Sequence, residues 1–88
     1  MTRKIQKVTL SSSSSDQSVK IPNGRILFVS PIEPSLFILC NPEEEEKSRK
    51  FRIIHTGHEF DEASFKCDYI GSFEMKNGMA FHIVEIID

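Results

Sequence analysis

The side chains best suited to chemistry in this 88-residue chain gather in two stretches. Residues 52–59 read Arg-Ile-Ile-His-Thr-Gly-His-Glu. The Arg52 guanidinium is a fork of donors that matches phosphate. The Thr56 hydroxyl and the backbone N–H groups of a turn at Gly57 add neutral donors, and His55 and His58 add imidazoles. Such a set at the end of a strand can hold an anion; it can equally be a strand end with solvated polar side chains. The second stretch, residues 69–73, sets Tyr69 and Phe73 around Gly71, and His82 is its expected cross-strand neighbour. An aromatic-lined dent with one imidazole suits a nucleobase, which stacks on π faces and needs few hydrogen bonds. The plainer reading makes Tyr69 and Phe73 core residues, Gly71 a packing or bulge glycine, and His82 a satisfied interior histidine.

Metal and covalent chemistry find less support. His55 and His58 lie three apart, with Glu59, Asp61 and His82 as further donors, but no standard zinc spacing results and His-Glu-x-x-His is absent. No metal ligand and no cofactor is therefore expected. Neither a Gly-x-Ser-x-Gly elbow nor a P-loop occurs. Cys67 alternates with Tyr69 and Phe73 on an apolar face and reads as a structural thiol. The chain is expected to bind and not to catalyse.

Composition narrows the partners. A formal net charge of −2 gives no surplus of Lys and Arg for gripping long nucleic acid. No run approaches the ~20 apolar residues of a membrane span, and residues 1–10 lack a signal-peptide pattern. Two cysteines are too few for a disulfide scaffold. The expectation is a cytoplasmic protein with reduced thiols, a Cys40–Cys67 bridge remaining open. One domain, residues 1–88, accounts for the length: residues 1–16 form a first strand and a flexible serine loop, and residues 17–87 a compact β core. So small a core commonly draws on self-association.

The elements that must position these residues are strands. Runs at 4–10, 18–21, 25–30, 36–40, 51–56, 65–75 and 79–87 are bounded by Ser, Asn-Gly and Pro signals. The segment 41–46, Asn-Pro followed by four glutamates, reads as a helical turn or a solvated loop, and 57–64 as a polar loop. Asn23-Gly24 predicts a hairpin pairing Ile21 with Ile26 and Val19 with Phe28. Asn77-Gly78 predicts another, in which Met75 faces Ala80, Phe73 faces His82, Gly71 faces Val84 and Tyr69 faces Ile86; Tyr69, Gly71, Phe73 and His82 would then share a face. Residues 25–30 and 36–40 are apolar on both sides, as central strands would be. With no helix to cover them, the fold expected is all-β: a small antiparallel sandwich or partly open barrel of about six to seven strands, in a homo-oligomer, dimer or tetramer.

Phe51-Arg52-Ile53, Thr56-Gly57-His58, Tyr69-Ile70-Gly71-Ser72-Phe73 and Phe81-His82-Ile83-Val84-Glu85, in this order, resemble a large family of small bacteriophage proteins over roughly residues 17–86. The chain departs from them at Leu36-Phe37-Ile38-Leu39, where relatives tend to carry tryptophan, and in a first strand without their aromatic residues. Small β-rich phage proteins of this size also look like anti-CBASS sponges, which hold the cyclic dinucleotide signals of bacterial defence systems without cleaving them. That resemblance implies a phage immune-evasion protein in the host cytoplasm that sequesters a nucleotide such as cyclic GMP–AMP. Tyr69 and Phe73 would border a base, and Arg52, Thr56, His58 and His82 would meet phosphate or base edges. The alternative is a protein-interaction module that docks on a host enzyme or is a minor virion component; the two-sided apolar strands and the acidic run point that way.

Overall fold

The computed structural model describes residues 2–12, 16–61 and 66–87. Seven strands follow one another: β1 (Lys4–Thr9), β2 (Gln17–Pro22), β3 (Gly24–Val29), β4 (Ser35–Cys40), β5 (Glu46–His55), β6 (Cys67–Glu74) and β7 (Ala80–Ile86). They build two antiparallel sheets, β1-β4-β3 and β2-β5-β7-β6. The fold is all-β, as its alternating pattern and turn residues require, and the described residues contain no helix.

The sheets face each other across one core. Leu36, Ile38 and Cys40 point inward from the small sheet, and Ile21, Phe51, Ile53, Phe73 and Ile83 from the large one. On β4 the alternate residues, Phe37 and Leu39, face outward and are partly exposed, which follows from the period of two. At the edge of the core Arg49 and Glu85 form a bidentate pair, both bonds 2.6 Å. Arg49 also donates to the Gly24 carbonyl, at 3.2 Å.

The first Asn-Gly does not make a hairpin. β2 pairs with β5, Ile21 opposite Lys47, whereas β3 pairs with β4, Ile26 opposite Ile38. Asn23 instead carries the chain from one sheet to the other. Gly24 is not left-handed. Its demand is for space, since a Cβ there would lie 2.2 Å from the Leu39 carbonyl oxygen and 2.9 Å from the Cys40 Cα. β3 is consequently an edge strand and not a central one.

The second Asn-Gly does make a hairpin, one residue longer than a two-residue loop. Gly78, with φ +84°, donates to the Met75 carbonyl, and Met75 N–H donates to Met79. The turn thus spans Lys76-Asn77-Gly78, a three-residue hairpin loop with glycine in the left-handed position. The register moves by one: Phe73 faces Phe81, Ser72 faces His82 and Glu74 faces Ala80. A bulge between Tyr69 and Gly71 then sets Tyr69 opposite Val84 and Gly71 opposite Ile83. Because a bulge reverses the alternation, Tyr69 and Phe73 occupy opposite faces.

Segment 41–46 contains a turn, with Glu44 N–H bonded to the Asn41 carbonyl and Glu43 N–H to its side chain, before β5 begins at Glu46. Phe65 and Ser13–15 of the serine run lie outside the described residues. Both thiols are free, Cys40 buried and Cys67 half-buried.

Candidate functional site: a groove along the edge of β5

β5 is ten residues long, but β2 flanks it only from Glu46 to Phe51. Among the described residues no strand continues that side past Arg52. Thr56 N–H donates to Ala80 on β7. By the alternation of an antiparallel ladder, the backbone groups of Ile53 and the N–H of His55 point the other way, along this edge. A groove of about 620 Å³ runs there. Asp16 and Ser12 border it, the strand end Arg52, Ile53, Ile54 and His55 lines it, and His58, Glu59, Phe60, Met79 and Phe81 complete the lining.

One end of the groove is a row of rings. His58 lies edge-on to His55 with centroids 4.6 Å apart, His55 meets Phe81 at 4.9 Å, and Phe81 stacks on Phe73 at 5.3 Å. The row exists because His55, Phe81 and Phe73 are cross-strand neighbours on the inner face of the large sheet. Gly57, with φ +93°, lets His58 N–H turn back to the His55 carbonyl at 3.0 Å, which brings the second imidazole over the first. His55 Nδ1 is buried and has no hydrogen-bond partner among the described residues. A buried polar atom in that condition costs free energy until something bonds to it.

The other end is charged. Arg52 donates from Nε to Asp16 Oδ1 at 2.5 Å and from Nη2 to Oδ2 at 3.0 Å. That bond holds the Asp16 carboxyl below the usual carboxylate range and pushes the guanidinium up.

Thr56, Tyr69 and His82 stand together elsewhere, on the outer face of the large sheet. Thr56 Oγ1 lies 2.8 Å from His82 Nε2, and Tyr69 Oη 2.9 Å from His82 Nδ1. In a neutral imidazole one nitrogen donates and the other accepts, so the ring is fixed between two hydroxyls. The dent expected around Gly71 is not formed. Gly71 faces the other sheet, where a Cβ would lie 2.7 Å from Val29 Cγ2, and Phe73 is a core residue.

Arg52, His55 and His58 are thus brought together in the groove, with Gly57 shaping the turn. Tyr69, Thr56 and His82 make a separate strip, and Gly71 and Phe73 are structural. Asp16, Phe60, Met79 and Phe81 were missed. The groove they line arises from where β2 stops, and a propensity pattern does not mark that. The one signal for Phe81 was the short turn, whose true length would have placed it beside Phe73. Among the described residues no group of three or more His, Cys, Asp or Glu side chains could hold a metal. No helix among them is long and apolar enough to cross a membrane.

The family model described as a domain of unknown function, DUF7352, matches residues 1–87. The chain belongs to that family. No curated protein and no solved structure matches it. The match takes in both sheets, so the β5 groove lies wholly within the DUF7352 domain.

Proposed function

We propose that this chain is a non-catalytic binding protein that sequesters a cyclic dinucleotide, such as cyclic GMP–AMP, in the β5 groove. Its setting on this reading is phage immune evasion in the host cytoplasm. The observation that carries the proposal is the pairing, in one groove, of a ring row containing an unsatisfied imidazole nitrogen with an arginine fork at the far end. A base stacks on the rings, and a phosphate takes the Arg52 fork in place of Asp16. A volume of about 620 Å³ falls in the range of small-molecule sites.

Calorimetry against a panel of cyclic dinucleotides, linear dinucleotides and mononucleotides tests this. A cyclic dinucleotide is expected to bind and to be recovered intact after the protein is denatured. Arg52→Ala should weaken binding about tenfold or more, the ~1–3 kcal/mol of a lost charged hydrogen bond, and His58→Ala by a similar factor through the ~1–3 kcal/mol of lost stacking. Failure of every cyclic dinucleotide to bind, or recovery of a hydrolysed product, would overturn the reading.

A further inference from the structure

The outward face of the small sheet exposes apolar side chains between two cations. Phe28 and Phe37 stack there with centroids 4.5 Å apart, yet Phe28 is 53% exposed, and Ile5 is 59% exposed. The register arranges the face in two rows across β1, β4 and β3: Lys7, Phe37, Phe28, then Ile5, Leu39, Arg25. The two cations occupy one pair of opposite corners and the two exposed apolar side chains the other. We propose that this face docks a second copy of the chain across a two-fold axis lying in the interface along β4.

That operation maps β1 of one copy onto β3 of the other. Phe37 then meets Phe37 and Leu39 meets Leu39. Each Lys7 covers the second copy's Phe28, and each Arg25 covers the second copy's Ile5. No like charges meet, and the cations lie over apolar groups with their stems available for packing. Lys7 already has its charge balanced by Glu33 at 2.6 Å. The pattern is self-complementary, as an isologous contact must be.

Three six-residue strands at usual spacings cover roughly 15 by 20 Å. That is about 300 Å² per copy, below the ~800 Å² per partner of a standard specific interface and in the range of weak, transient contacts, so dimerisation is weak and depends on concentration.

Sedimentation velocity from a few to about 200 µM, the range where a micromolar dimer titrates, provides the test. The parent should shift from monomer to dimer. Ile5→Lys and Phe28→Lys place a third cation against the second copy's Arg25 or Lys7 and should leave monomers. Ile5→Glu and Phe28→Glu meet those cations with opposite charge and should dimerise at least tenfold better than their lysine counterparts. Tyr69→Glu, on the outer face of the large sheet, should dimerise as the parent does. Circular dichroism confirms that each variant is folded. A parent that is monomeric throughout overturns the proposal, as do lysine and glutamate variants that behave alike, or a dimer lost through Tyr69→Glu.

Discussion

Gly71 packs so closely against the facing sheet that a Cβ there would lie 2.7 Å from Val29 Cγ2. A glycine within a strand predicts a close approach, and one exists, but the approaching group is Val29 of the facing sheet and not a ligand. Gly71→Ala should therefore destabilise the fold by about 1–3 kcal/mol through overpacking. Adding Val29→Ala, which removes the offending methyls, should restore part of that loss. Chemical denaturation of the two single variants and the double variant measures the coupling; simple additivity would mean the contact does not set the cost. The longer turn moved Gly71 and Phe73 off the face that carries His82, and the bulge then separated Tyr69 from both. The extra residue at Ile70 is a packing decision, since Ile70 turns in against the core, and nothing in the local run of residues specifies it. By contrast Arg52, His55 and His58 were legible because they follow one another around a strand end and a glycine turn.

Strand existence could be read from the pattern, and so could the β6–β7 partnership, whereas the β2–β5 partnership could not. All seven segments lie within a few residues of where the alternation places them; the largest difference is β5, which starts at Glu46 and so absorbs a charged stretch that looked like loop. Solvent explains this, since the first residues of β5 are exposed on an edge and charged side chains are tolerated there. The two Asn-Gly pairs carry identical local signals and do different jobs. Asn77-Gly78 needs a left-handed residue; Asn23-Gly24 needs the absence of a side chain beside Leu39 and Cys40. Substitution separates them. Gly24→Ala should cost more than about 2 kcal/mol because backbone atoms must move. Gly78→Ala, with open space around its Cβ, should cost only the ~1 kcal/mol of a strained φ. Thermal melts of the two variants decide it; equal losses would show that the corner at Gly24 yields easily.

At the scale of the molecule, acid should loosen the chain through its ion pairs. Arg52 holds the Asp16 carboxyl below its ordinary range, and Lys7 does the same for Glu33. A carboxylate lowered in the folded state adds stability that is fully present above its unfolded pKa, near pH 4, and is lost as pH falls through the lower folded value. Melting temperatures are therefore expected to hold from neutral pH to about 5 and to fall below about 4. Asp16→Asn should flatten part of that fall, modestly because the pair is partly solvated. An unchanged acid profile in Asp16→Asn would remove the pair from the account.

The order in which strands meet has a further consequence, and it concerns time. β3–β4 and β6–β7 are joined by short loops and can zip early, on the microsecond scale of hairpins. β2 must find β5 across more than twenty intervening residues, and such distant pairings are slow. The groove borders the end of that β2–β5 ladder, so it is among the last features the chain completes. A ligand that fits it meets only finished molecules, and by leaving the half-folded ones unrewarded it deepens the native basin without smoothing the path down to it.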